Sequence, residues 1–307
     1  MNEHSSPVDN AWEHVRRLPQ PRLRGIVHDY QGFRYALARP RLRRELPHDA
    51  VTLFFALCEP IELLIEGQRP GTGLLRSSLV AGLQTEAQLG GHQGAMHGME
   101  VTLTPWGAFT LLGLDMSGLA RTHATLADLP GPDWGRLTDS LSEIPGWPAR
   151  FDLLDRFLLR RLDRGPAWDP RAVLAWEAMV ASGGTIGIPG LAEETGWRPR
   201  QMVAVFRDQL GLTPKAAARV VRLQRVMREL LDGTPQARAA VLCGFYDQPH
   251  LALEFRRMVG CTPAEFVALR SAGAAVPALD RRHGQVTSLL VTALDGAPED
   301  AGTALVT

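Results

Sequence analysis

At 307 residues the chain is long enough for two domains, and a hydrophobic content of 45% supplies ample core for both. Its 33 Lys and Arg balance 33 Asp and Glu, so the zero formal charge argues against a chain generally coated to hold polyanions. Cys58, Cys243 and Cys261 form no CxxC pair and are odd in number, which argues against a zinc ribbon or a disulfide framework.

The N-terminus, "MNEHSSPVDNAWEHV", lacks the basic start and apolar core of a signal peptide. The longest apolar stretch, residues 101–114, is broken by Pro105 and Gly107 and is too short to span a bilayer. A cytoplasmic protein with buried thiols and no membrane partner is expected. Residues 22–104 read as β-structure. "VTLFFALCEPIELLIEG" gives two apolar runs, 51–57 and 61–66, separated by a turn at Glu59-Pro60. "LLRSSLVAGLQTEAQL" and "MHGMEVTLTP" add short strands on either side of the glycine-rich "GGHQGAMHG". Many short strands at this spacing predict a sandwich or barrel. His92 and His97, with His48 and Glu100 as conceivable co-ligands, raise the question of a metal; as local structure they read as turn residues. Trp106 and Phe109 are candidates to line a ligand pocket, against the plainer reading of core. No G-x-S-x-G, H-E-x-x-H or P-loop pattern occurs.

Residues 133–164 turn helical. Trp147, Phe151, Leu154, Leu158 and Leu162 form a seam of helical period, suited either to packing on the β-region or to a contact between subunits. "DRGPAWDP", residues 163–170, reads as a linker, with Asp169-Pro170 starting the next helix.

Beyond it one pattern occurs twice. In "LAEETGWRPRQMVAVFRDQLGLTP", Ala192 stands four before Gly196, Met202 four before Phe206, and Gly211 and Thr213-Pro214 follow. In "AVLCGFYDQPHLALEFRRMVGCTP", Ala240 and Gly244, Leu251 and Phe255, then Gly260 and Thr262-Pro263 keep those spacings, with one extra residue between Gly244 and Phe255. A small residue then lies where two helices cross, and a glycine ends the first helix in the left-handed conformation. Pro199 suits a first helical position. The apolar pair at i and i+4 points into a small core. Each copy predicts a helix-turn-helix.

Residues 170–270 resemble the DNA-binding domain of the AraC/XylS family of bacterial transcriptional regulators, in which one long helix joins two helix-turn-helix units. "TPKAAARVVRLQRVMRELLDG" resembles the linking helix, with Arg222-Leu223 at the family's Arg-Leu pair. Gly244-Phe245, Asp247, His250-Leu251, Phe255-Arg256, Gly260 and Thr262-Pro263 resemble the signature of the second unit, including its extra turn residue. The strands ahead of it, with "LTPWGAFTLLGL" and "LADLPG", look like the cupin-like sensor domain of many members. The fold class implied is α+β: a cupin-like β-barrel or sandwich with a helical extension over 15–165, then an all-α domain over 168–270. Within the latter the expected bounds are 188–210 and 236–259 for the two units and 213–231 for the linking helix. A loosely ordered tail is expected over 271–307.

The resemblance implies a regulator that is not an enzyme and has no cofactor. It implies double-stranded DNA as partner, a small-molecule effector at the N-terminal domain, RNA polymerase if the protein activates, and a homodimer contact at the helices over 133–164. Arg200, Arg207, Arg256 and Arg257 are the candidate phosphate contacts, and Arg198 is a further candidate DNA-binding residue. Gln201, Val203, Ala204, Gln248, His250, Ala252 and Leu253 lie nearest the base edges. Family members usually carry basic or amide residues at positions 203, 204, 252 and 253; small apolar ones here can only touch thymine methyls or follow DNA shape. The family's small-polar helix cap is replaced by Arg198. Over 168–270 only 13 Lys or Arg stand against 10 Asp or Glu, and a run from Lys215 to Arg228 lies on the linking helix. That run reads as a solvated face or as modest phosphate attraction. Two rival readings stay open: a regulator acting by protein contacts without base reading, and a metal-dependent cupin or repair methyltransferase fused to this domain. The latter lacks the close His-x-His pair and the Pro-Cys-His context.

Overall fold

The structure, a computed structural model, describes residues 4–5, 12–36, 41–58, 60–64, 73–92, 95–120, 123–131, 133–272, 281–282 and 285–291. Strands come first: β1 (His4–Ser5), β2 (Trp12–Arg17), β3 (Val27–Ala36), β4 (Arg41–Glu45), β5 (Val51–Ala56), β6 (Ile61–Leu64), β7 (Leu74–Arg76), β8 (Ser78–Ala81), β9 (Gln88–His92) and β10 (Ala95–Leu103). Then come α1 (Pro105–Leu112), β11 (His123–Thr125), α2 (Asp133–Glu143) and α3 (Trp147–Arg164). A helical region follows: α4 (Pro170–Ala181), α5 (Ile188–Thr195), α6 (Pro199–Val205), α7 (Pro214–Leu231), α8 (Gln236–Leu242), α9 (Gln248–Val259) and α10 (Pro263–Ala272). The chain then returns to strand in β12 (Arg281–Arg282), β13 (Gln285–Val286) and β14 (Ser288–Val291). The fold is α+β.

Two sheets face each other. One runs β1-β2-β3-β10-β5-β8-β11, the other β14-β4-β9-β6-β7. The alternation along β5 explains the layering. Val51, Leu53 and Phe55 point into the core shared with the helices, whereas Phe54 and Ala56 join Phe33, Leu79 and Met96 in a second cluster, against which Ile61 and Leu63 of the other sheet pack. The described residues of the runs at 51–57 and 61–66 therefore do not pair with one another. β5 pairs with β10 and β8, and β6 with β9 and β7.

Two expectations are corrected, and two readings left open in the sequence resolve to the plainer alternative. His92 and His97 are not turn residues; they lie in β9 and β10. Gly98, one of the glycines that suggested a loop, serves close approach instead: a Cβ there would lie 2.9 Å from the Phe33 ring. Trp106 and Phe109 belong to α1 rather than to a pocket wall, with Trp106 Nε1 donating to Gly25 O at 3.0 Å and Phe109 buried in the core. The helical seam is used inside the chain. Trp147, Phe151, Leu154 and Leu158 are buried and Leu162 is half-buried, with Phe151 stacked on Tyr30 at 5.9 Å. Arg17 of β2 fastens the same helix by pairing with Asp152 at 2.6 Å and with buried Asp155. Finally, the segment after α10 is not loose throughout, because β14 pairs antiparallel with β4 over Ser288–Val291.

Candidate nucleic-acid interface

Each repeated unit folds from its own local signals. Gly196 (φ +66°) ends α5 and donates to Ala192 O at 2.8 Å, and Gly244 (φ +71°) follows α8 in the same left-handed conformation. A side chain at either would be strained. The second helix of each unit, α6 and α9, buries one face. In the first, Met202 and Phe206 are buried, with Trp197 edge-on to Phe206; in the second, Leu251 and Phe255 are buried, with Phe255 against Phe266 of α10. The helix starts differ. Asp247 accepts from His250 N at 2.8 Å and caps α9, whereas Arg198 offers α6 no side-chain cap. After Phe206 the helix widens through a π-type turn to Leu210 and stops at Gly211. Thr213 caps α7 from Ala216 N, and Thr262 forms a reciprocal capping box with Glu265.

The buried faces leave the candidate residues outside. Arg198, Arg200, Gln201, Ala204 and Arg207 are exposed and Val203 is half-buried. Gln248, His250, Leu253, Arg256 and Arg257 are exposed, and Ala252 is half-buried. The two sets belong to corresponding faces of corresponding helices. His250 rests edge-on against Phe245 at 5.4 Å, and Arg257 Nε lies 3.7 Å from Glu86 of the β-region. Tyr246, at 91% exposure, extends the outward surface of the second unit.

Two cations of the basic run on the linking helix α7 have a use different from either one expected. Arg219 pairs with Glu254 of α9 at 2.9 Å. Arg222 lies over the Phe245 ring at 5.5 Å and donates to Gly184 O at 3.0 Å. These cations hold the second unit and the α4–α5 connection onto the helix, leaving Lys215 and Arg228 exposed.

A helix-turn-helix domain model matches residues 191–268. A probable AraC family transcriptional regulator from Rhodopseudomonas palustris is 31% identical, over 33% of this chain and 96% of that one, at a TM-score of 0.30. This chain belongs to the AraC family. ToxT from Vibrio cholerae is 9% identical over 78% of this chain and 97% of its own, with a TM-score of 0.43. The unsaturated fatty acid bound ToxT structure is 8% identical, over 78% and 94%, with a TM-score of 0.42. Comparison with curated proteins gives no match.

Ahead of its AraC-type domain the chain has a cavity of about 160 Å³ between the two sheets. Phe54, Leu63 and Met96 give it apolar walls, and His48, Glu100 and His123 give it polar ones. His97 points elsewhere. Its Nε2 accepts from Arg150 Nη1 at 3.0 Å, and Trp147 meets its ring at 5.3 Å. An acceptor Nε2 fixes the neutral imidazole. Burial, with Arg34 and Arg150 nearby, lowers its pKa to about 4. Beside two guanidinium groups it is poorly placed to hold a cation, and no cluster of three metal-ligating side chains is found among the described residues. No helix among the described residues is long and apolar enough to cross a membrane.

Proposed function

We propose that this AraC-family chain regulates transcription by laying α6 and α9 into successive major-groove segments of promoter DNA. One observation carries the reading: both second helices are anchored by a buried apolar pair while their candidate contact residues face solvent. Arg198, Arg200, Arg207, Arg256 and Arg257 then hold phosphates, and the faces around Ala204 and Leu253 meet the bases. The cavity between the sheets supports an effector site for a small molecule that is largely apolar with a few polar groups, the usual character of such pockets.

Selection from a pool of random duplex DNA, with sequencing of what is retained, tests this. An enriched motif is expected. Retention without enrichment would favour the second reading, a regulator working through protein contacts. The observation behind that alternative is the apolar exposure on the second unit, where Leu253 is 71% and Val241 73% exposed.

A further inference from the structure

After α10 the chain returns to the β-region and completes it. Residues 288–291 extend the five-stranded sheet as its edge strand, with Ser288 opposite Glu45 and Val291 opposite Leu42. Leu46 N donates to Thr287 O at 2.8 Å, and Arg43 Nη2 donates to Ser288 Oγ at 2.5 Å. Thr287 and Ser288 thereby line the cavity. The residue just before them is tied to the DNA-binding region. Gln224 of α7, 2% exposed, accepts from Val286 N at 3.0 Å, and its amide donates to Val286 O at 2.9 Å and to Pro47 O at 2.6 Å. One side chain on the linking helix thus clamps two backbone segments that lead directly into cavity walls. A buried glutamine with its amide wholly committed is costly to disturb, so the two sides move together or the clamp breaks.

We infer that residues 285–291 form a strap through which the cavity and the linking helix are coupled, with Gln224 as its fastening. This rests on the reading of the cavity as an effector site and names how that site reaches DNA. A molecule that displaces Thr287 or Ser288 shifts Val286, and with it the helix that joins both helix-turn-helix units. A rival route exists in the direct contacts of the β-region with the end of α9, where Arg44 donates to Gly260 O at 3.0 Å and Ala87 N to Met258 O at 2.7 Å.

A cycle of substitutions in the full chain separates these routes without a ligand. Ala81→Leu fills the cavity from the β8 wall, away from the strap. Affinity for the selected DNA is measured for the parent, Ala81→Leu, Gln224→Met and the double variant. Coupling of ordinary size changes the affinity of the Ala81→Leu chain by about fivefold or more. The strap requires that this change vanish when Gln224→Met is present. If the change persists undiminished in the double variant, the strap is overturned while the responsive cavity stands. If Ala81→Leu has no effect in the parent, the responsive cavity itself falls and the coupling with it. Should Gln224→Met fail to fold, a chain ending at residue 284 replaces it in the cycle. Hydrogen exchange on the parent gives an independent reading: the Val286 amide held by Gln224 must exchange slowly, and fast exchange there would remove the strap.

Discussion

Phe206 and Phe255 do the same work 49 positions apart, each almost fully buried in the hydrophobic core. Phe206→Ala and Phe255→Ala should each cost about 3–5 kcal/mol, as for other large aromatic truncations. Denaturant unfolding of the full chain reads this directly, and an unchanged midpoint in either variant would contradict the packing. His97 governs a different property. Its folded pKa of about 4 lies below the ordinary 6.5, so the unfolded chain takes up the proton first as pH falls. Stability is full above about pH 6.5 and is lost progressively down to about pH 4. Glutamine keeps an acceptor for Arg150 but has no proton to gain. His97→Gln should therefore lose less stability than the parent between those limits. Some loss should remain, because burial also lowers the pKa of His123. Equal losses in parent and variant would show that His97 does not titrate differently on folding.

At the scale of elements, the helix-turn-helix units were legible because every signal that makes them is local. A glycine, a proline and an apolar pair four apart act within a dozen residues, and no distant partner decides the outcome. The seam on α3 was legible as a seam but not in its destination. Periodicity shows that one face is buried, never against what. Tyr30 and Arg17, far back in the chain, settle it. Leu158→Glu should accordingly unfold the N-terminal region instead of yielding folded monomers, since a charge would enter a fully buried site. Sedimentation together with circular dichroism distinguishes the two results. On α6 and α9, the helices proposed to meet the bases, apolar side chains would leave few bidentate base pairings, each of which supplies about 1–3 kcal/mol. Leu253→Ala should change which sequence is preferred. Arg207→Ala should weaken all sequences alike. The reverse pattern in a binding-site selection would mean that the outward faces are assigned the wrong way round.

For the whole molecule, the long-range pairings were the part the sequence concealed. β14 finds its template in β4, on the far side of the entire helical region. Its apolar "SLLV" carries no mark of that destination. Gln224 did leave a trace, as a polar residue at a helical position flanked by Val220, Val221, Leu223 and Met227, all buried. Charge is likewise spent internally. With Arg219 and Arg222 committed to Glu254 and Phe245, the surface cations proposed to meet phosphate are Arg198, Arg200, Arg207, Arg256 and Arg257. Each phosphate neutralised adds about 0.9 to the slope of log affinity against log salt. A single chain should then show a slope no steeper than about −4.5, and Arg207→Ala or Arg256→Ala should each flatten it by about one. Filter binding or fluorescence anisotropy across a salt series supplies both values. A much steeper parent slope, unchanged by these substitutions, would move the phosphate contacts to other cations, with the exposed Lys215 and Arg228 of α7 the first to replace.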